Sequence, residues 1–441
     1  MKRHIEEILK NWKTDRQRRP LLVRGARQVG KSYTVNEFGN KEFDNLITIN
    51  FELEPEYKDC FTSLKPGAII ETISILSKKK ITPGKTLLFL DEIQECPRAI
   101  TALRYFYEQM PELHVIAAGS LLEFSLSQEK SRMPVGRVQY LYMKPLSFLE
   151  FLDALGENKS RQVVENIDLD NLPQPVIHEH LLALTKKYAI LGGMPAVVEE
   201  YTASGDLTKC QQIQKIIIQT YRDDFGKYAA KVKHKYMEKI FYAVPKLVGK
   251  KFKYSHVDNT IPSRELKNAL ELLEKAGVLH RVKKTGGSGL PLEANSDERH
   301  FKTTFLDIGL MQNMCGLDRE MLFSGDFMKI NAGALAEQFA AQELLAYRDP
   351  FQENRLYYWA REARNSNAEV DYLVPWNSYA VPVEVKSGKT GTLRSMHLFL
   401  EKYPAPVGIR ISQQFFNTTP PVISIPFYAV KKIPRLIQNC L

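Results

Sequence analysis

The sequence predicts an α/β chain: a parallel, doubly wound sheet at the start, a helical middle and a second α/β domain at the end. Three observations predict it. An apolar strand runs into a glycine-rich loop and a helix start over residues 21–32. Apolar strands then alternate with helical segments as far as residue 118, the pattern of a parallel sheet covered on both faces. Near the C-terminus two stretches of period-two alternation, 369–374 and 381–386, flank a turn. The chain of 441 residues divides on this reading into 1–155, 156–300 and 301–441, with no Gly/Ser-rich linker at the boundaries.

The glycine loop comes first. Leu21-Leu22-Val23-Arg24 is followed by Gly25-Ala26-Arg27-Gln28-Val29-Gly30-Lys31-Ser32, a G-x-x-x-x-G-K-S pattern. Its glycines let backbone N–H groups turn inward around the phosphates of a nucleoside triphosphate. The lysine reaches the β/γ oxygens and the serine hydroxyl takes Mg²⁺. The helix that follows adds its positive end. Residues Gly25 to Lys31, with Ser32 and Tyr33, are therefore the expected contacts to ATP; the alternative is an ordinary glycine turn. A second strand follows at 46–51, and the run 86–90 ends in Asp91-Glu92. An acid pair at that strand end suits a phosphate site: Asp91 to hold Mg²⁺, Glu92 to orient the attacking water. The strand 113–118 ends at Gly119-Ser120. Ser120 is either a polar tip beside the γ-phosphate or part of a plain turn.

Taken in order, G-A-R-Q-V-G-K-S, L-D-E-I-Q, A-A-G-S, V-G-R and K-P-L-S-F-L-E-F resemble a large bacterial and archaeal family of AAA-type ATPases. The resemblance implies an AAA-type P-loop fold for 1–155, with the 113–118 strand between the two motif strands. It also puts Arg137 where an arginine finger lies, with Arg132 as a rival. A finger reaching a neighbour's phosphate raises the rate by ~10³–10⁵ and requires a homo-oligomer; the alternative is a surface arginine opening a strand. The family carries a segment like Gly192-Gly193-Met194-Pro195, which in related ATPases packs near the nucleotide and which is otherwise a helix break.

From Lys227 to Lys253 the chain is basic, with Lys231, Lys233, Lys235, Lys239, Lys246, Lys250, Lys251 and Lys253 among Tyr236, Phe241, Tyr242 and Phe252. An amphipathic helix follows, with Ser263 as N-cap and Gly277 as its stop. A strand at 278–282 and a Gly-rich tip at 286–289 complete a helix, helix, hairpin order. That is the order of a winged helix, which commonly lays a helix on DNA. A solvated lysine face on a packing module is the other reading.

The C-terminal alternation has a geometric consequence. Folding 369–374 onto 381–386 about a turn between Asn377 and Ser378 sets Val370 opposite Val385, Tyr372 opposite Val383 and Val374 opposite Val381. The other face then pairs Asp371 with Glu384 and Glu369 with Lys386. Like charges directly across a ladder are destabilising and call for a cation between them. Asp…Glu-x-Lys resembles the restriction-endonuclease-like PD-(D/E)xK nucleases. There the resemblance implies Mg²⁺ or Mn²⁺ on Asp371 and Glu384, a water-positioning role for Lys386, and a further acid from an upstream helix, for which Glu337 fits. A hairpin with a Glu369–Lys386 ion pair is the alternative.

Net charge is +10, which allows a polyanionic partner such as DNA. The cysteines (Cys60, Cys96, Cys210, Cys315, Cys440) have no metal-type spacing and suit a reducing cytoplasm. No apolar run approaches the ~20 residues of a membrane span. The sequence therefore leads to a DNA-directed ATPase whose nucleotide state controls a metal-dependent cut or grip. The alternative is an ATP-dependent regulatory switch whose nuclease-like domain binds a partner or DNA without cutting. A motor for protein substrates is a third reading, with no pore-loop aromatic to support it.

Overall fold

In a computed structural model of the chain, the described residues are 1–119, 136–228, 231–316, 332–353, 355–361, 368–388 and 392–440. They fall into two units. The first is residues 2–144 with 349–353, and the second takes the described parts of 145–348 and 354–441.

The first unit is built on short, continuous apolar strands, the composition of a parallel sheet buried on both faces. In chain order it runs α1 (Ile5–Thr14), β1 (Leu21–Arg24), α2 (Lys31–Glu42), β2 (Asn45–Asn50), α3 (Pro66–Ser77), β3 (Thr86–Asp91), α4 (Pro97–Gln109), β4 (His114–Ala118) and β5 (Gln139–Tyr142). All pairings are parallel, in the order β2-β3-β4-β1-β5. β4 thus lies between the glycine-loop strand and the acid-pair strand, as the AAA resemblance implied. Every residue of β3 is buried, and Leu88 and Leu90 pack with Ile100, Leu103 and Phe106 of α4 in one core.

The second unit differs from the expected three-way division. Its helices are α5 (Phe148–Ala154), α6 (Asn158–Asn166), α7 (Pro175–Leu191), α8 (Pro195–Ser204), α9 (Leu207–Tyr228), α10 (Lys231–Leu247), α11 (Ser263–Lys275), α12 (Ile308–Met314), α13 (Ala332–Ala346), α14 (Arg394–Lys402) and α15 (Ile433–Gln438). Its strands are β6 (Leu279–Thr285), β7 (Ser296–Phe305), β8 (Leu356–Ala360), β9 (Glu369–Trp376), β10 (Tyr379–Val385), β11 (Gly408–Ser412) and β12 (Val422–Pro426). They form one mixed sheet, β12-β11-β10-β9-β8-β6-β7. The hairpin read as a wing is therefore part of the C-terminal sheet: β6 pairs in parallel with β8, Val282 opposite Leu356. The helix α5, placed before the expected boundary at 155, falls in the second unit. Its Phe148 N–H donates to Glu343 of α13 at 2.9 Å. The stop at Gly277 is present, with a positive φ, but α11 starts at Ser263 itself, so the N-cap position is Pro262.

Among the described residues no single helix is long and apolar enough to cross a membrane. One bent pair, α7 with α8, meets that test by length and composition, but Leu181, Leu184, Tyr188 and Leu191 of α7 are buried in the unit.

Candidate functional site

The glycine loop leaves β1 at its carboxyl end and enters α2. Gly25 has φ 150°, and a Cβ there would lie 2.3 Å from the Met143 carbonyl oxygen, so no side chain fits. Gly30, with φ 92°, is the N-cap of α2, and Gln28 between them also takes a positive φ of 61°. These left-handed turns are cheap for glycine and aim successive N–H groups into one concavity. Ala26 and Val29 anchor the loop in the core, while Tyr33 is exposed.

Lys31 is buried, and its Nζ donates to the carbonyls of Gly25 (3.0 Å) and Ala26 (2.8 Å). Burial pulls its pKa down to about 8, partly offset by the charges of Glu92 and Asp91. Asp91 closes β3 and accepts a hydrogen bond from the Ser32 side chain. Burial raises its pKa, and the Ser32 bond works against that rise. Glu92 sits in the left-handed region, φ 48°, and its carboxylate accepts from Gln94 Nε2 at 2.6 Å. The structure thus joins Lys31, Ser32, Asp91 and Glu92 at the carboxyl ends of β1 and β3. A lysine held by neutral carbonyls, next to a serine–carboxylate pair, is a donor set that fits a Mg²⁺-bound triphosphate. Ser32 and Asp91 would hold the metal, which would supply charge neutralisation of the phosphates.

Two contributors escaped the sequence reading. Gln94 fixes Glu92; it stands in the L-D-E-I-Q motif, where no role was read for it. Arg3 is buried and donates to Val29 O (2.8 Å) and Lys144 O (2.7 Å), tying the loop to the segment after β5. Nothing in the local sequence marks it.

Ser120 and Arg132 lie outside the described residues. Arg137 is described, and it lies at the other edge of the sheet. Gln139 pairs with Leu21 at the amino end of β1, so Arg137 and Gly25 are separated along the strands by about 20 Å. There its guanidinium pairs with Glu108 at 2.8 Å and is half-exposed. Arg137 therefore does not reach the phosphate loop of its own chain. The Gly192-Gly193 break has a packing cause. Cβ atoms there would meet Asp307 Oδ1 at 2.1 Å and Leu146 O at 2.2 Å. Asp307 caps α12 and accepts from Gly193 N–H at 2.6 Å.

In the second unit the expected hairpin forms in the expected register as far as Tyr372 opposite Val383, where the ladder ends short of the expected Val370–Val385, Asp371–Glu384 and Glu369–Lys386 pairs. Val383 pairs with Tyr372 and Val381 with Val374. The acids do come together, but around a lysine that the sequence reading missed. Lys302 of β7, 2% exposed, places Nζ 3.1 Å from Glu337, 2.6 Å from Glu369 and 3.3 Å from Asp371. Lys386 pairs with Glu384 at 2.6 Å, not with Glu369. Asp371 Oδ2 also accepts from Val385 N–H at 2.9 Å. Burial, then the charge of Asp371, pushes Glu337 up to about 8 and Glu384 up to about 7. The metal roles assigned to Glu337, Asp371 and Glu384 are thus corrected. An ammonium already occupies the space between two of them, and among the described residues no group of three or more such side chains is arranged to hold a metal ion. As arranged, these residues do not fit Mg²⁺ or Mn²⁺.

Residues 17–152 match the AAA domain family. Residues 182–321 and 332–427 match two domains of unknown function, DUF8612 and DUF4143. No curated protein gives a significant match. Among solved structures, the chain is similar to the Walker-type ATPase PABY2304 of Pyrococcus abyssi: 19% identity over 70% of this chain and 93% of that one, TM-score 0.44. It is also similar to ORC1 of Aeropyrum pernix in complex with DNA (12% identity, 71% and 90% covered, TM-score 0.29). A third is AMPPCP-bound DnaA from Aquifex aeolicus (14%, 62% and 90%, TM-score 0.28). The family match and the strand order together mark the first unit as an AAA-type P-loop domain.

Proposed function

We propose that this chain is an ATP-hydrolysing switch that acts on DNA, gripping it without cutting. The observation that carries the ATPase half is the convergence of Lys31, Ser32, Asp91 and Glu92 across β1 and β3 with β4 between them. On this reading Lys31 exchanges its carbonyl contacts for the β/γ-phosphate oxygens. Ser32 and Asp91 hold Mg²⁺, and Glu92, steadied by Gln94, orients the attacking water. From the amino edge of the sheet Arg137 reaches phosphate only on a neighbouring copy, so a finger role carries assembly with it.

The DNA half is supported by the basic stretch around α10. Lys233, Lys235, Lys246, Lys250, Lys251 and Lys253 are exposed there, as is the ring of Tyr242. Several ammonium groups on one short segment suit phosphate contacts, which fix position without reading sequence. Cutting is left out because Lys302 holds the carboxylates that a metal would need.

An ATPase assay with and without DNA, with DNA products read from the same tubes, tests the reading. Turnover that Lys31→Ala abolishes and DNA stimulates, with intact DNA in Mg²⁺ and in Mn²⁺, is the expected result. DNA affinity should fall steeply with salt as counterions are released. Salt-insensitive binding would remove the DNA half, and cleavage that depends on Asp371 would restore a nuclease.

A further inference from the structure

Two cations hold the carbonyls of the phosphate loop. Lys31, from within the loop motif, takes those of Gly25 and Ala26. Arg3, two residues before α1, takes that of Val29 with Nη1 at 2.8 Å, and its Nη2 donates to Lys144 O at 2.7 Å. One guanidinium thus joins the second half of the loop to the segment after β5. That segment also meets the first half: Met143 N–H donates to Arg24 O at 2.7 Å, and Met143 O is the atom that a Cβ on Gly25 would strike. Arg3 is itself tethered. Its own N–H donates to Glu6 Oε1 at 2.9 Å, and Ile5, Leu9 and Trp12 of α1 are buried. Arginine suits the task because its donors lie in a rigid planar fork, whereas lysine is a point charge on a flexible stem.

The consequence lies one atom further along the chain. In a planar trans peptide the C=O and the following N–H point in opposite directions. With Val29 O turned to Arg3, the Gly30 N–H faces away from Arg3. The Gly30 carbonyl accepts from Thr34 N–H at 3.0 Å and so belongs to the first turn of α2. Gly30 is therefore fixed on both sides, by Arg3 before it and by the helix after it, at φ 92°. Glycine loses more conformational freedom than any other residue when it is ordered. In a loop without this tie, that ordering would count against nucleotide binding.

The geometry points to Arg3 as a positioning residue for nucleotide binding: by holding the Val29 carbonyl it aims the Gly30 N–H at the α/β-phosphates before the nucleotide arrives. The N–H groups of such a loop cradle those phosphates. Arg3 acts through the peptide and touches no nucleotide. The contact it presets is the same before and after the γ-phosphoryl group leaves. It therefore strengthens ground state and transition state alike, and binding of that kind sets KM rather than kcat. The inference rests on the ATP site of the proposed function and not on DNA binding.

Calorimetric titration of the full-length chain with ATP and with ADP, each with Mg²⁺, tests it alongside steady-state turnover. Arg3→Met should weaken both nucleotides by the same factor, about tenfold, the loss expected for one hydrogen bond from a charged donor. KM should rise by that factor while kcat falls less than about threefold. Arg3→Lys keeps the charge and one of the two bonds, and should recover part of the loss. Circular dichroism checks that each variant is folded. Should Arg3→Met not fold, Arg3→Lys carries the comparison, with both nucleotides weakened about threefold. Wild-type affinity in the folded variants would leave Arg3 a structural tie alone and overturn the proposal. So would weakening of ATP without ADP, or a fall in kcat with KM unmoved. A wild-type chain that binds neither nucleotide overturns the proposed ATP site and this inference with it. Wild-type binding with unchanged Arg3 variants overturns only this inference.

Discussion

Lys31 and Lys302 are both buried lysines beside carboxylates, one in each unit, and their environments push them in opposite directions. Lys31 donates to two neutral carbonyls, and burial pulls its pKa down to about 8. Lys302 donates to carboxylates; burial would lower its pKa, but the charges of Glu337, Asp371 and Glu369 raise it well above the ordinary lysine value. Neutral partners are easily exchanged for phosphate oxygens, and the exchange gains a full charge interaction. Carboxylate partners are not, because leaving them exposes unbalanced charge. The first arrangement suits a ligand that comes and goes, and the second suits a permanent joint.

The largest effect should follow from breaking the joint. Lys302→Met leaves Glu337, Glu369 and Asp371 facing one another, and losing one partner of a buried ion cluster typically costs about 3–5 kcal/mol. Urea denaturation measures it; a cost below about 1 kcal/mol would make Lys302 a bystander. Next comes Lys31→Ala. Loss of a charged phosphate clamp should lower ATP turnover by ~10²–10³-fold, in line with removal of one preorganised electrostatic group. Its effect on folding should be much smaller than that of Lys302→Met, since Lys31 touches only carbonyls. Equal folding losses in the two variants would erase the contrast.

Acidity separates the units with a smaller effect. Glu384 and Glu337 titrate in the folded chain near about 7 and about 8, above the unfolded value of ~4.3. Between those limits the folded state holds more protons than the unfolded one, so their contribution to stability falls as pH rises from ~4.3 to 8. His114, at the start of β4, behaves oppositely. Burial pulls it down to about 4, so the unfolded chain binds more protons below ~6.5 and this contribution rises from pH 4 to 6.5. Denaturation at pH 5 and 8 should therefore show a shallower loss in Glu384→Gln than in wild type. A parallel pair of lines would contradict the assignment. The smallest effect belongs to Arg137→Ala, whose half-exposed, solvent-screened pair with Glu108 should leave stability almost unchanged. Turnover that rises with protein concentration in wild type and loses that rise in the variant would support action on a neighbouring copy.

What could be read from the sequence depended on how local the cause was. The glycine loop and the acid pair are contiguous motifs, and their strands appear within a residue or two of expectation. From the turn to Tyr372 opposite Val383 the β9–β10 register was legible to the residue, because alternation and a short turn leave one way to bury Tyr372, Val381 and Val383; beyond that the ladder ends and the expected pairs of acids do not form. Lys302 was not legible. It lies 35 residues from Glu337 and 69 from Asp371, on a strand whose own pattern gives no reason to single it out. A cation was expected between Asp371 and Glu384, but Lys302 stands among Asp371, Glu337 and Glu369, an arrangement that depends on the sheet order. The same holds for Gly192 and Gly193. A break was visible there, but its cause, Asp307, lies more than a hundred residues on. The hairpin β6–β7 had the right local order for a wing, and only its pairing with β8 made it part of the larger sheet.

Nucleotide binding at the loop of Gly25 to Ser32 underlies every role assigned to the first unit. Isothermal titration of the purified chain with ATP and Mg²⁺ tests it most directly. Uptake of one nucleotide per chain, abolished by Lys31→Ala, is the expected result. Absence of binding by the wild-type chain, or equal binding by the Lys31→Ala chain, would contradict it.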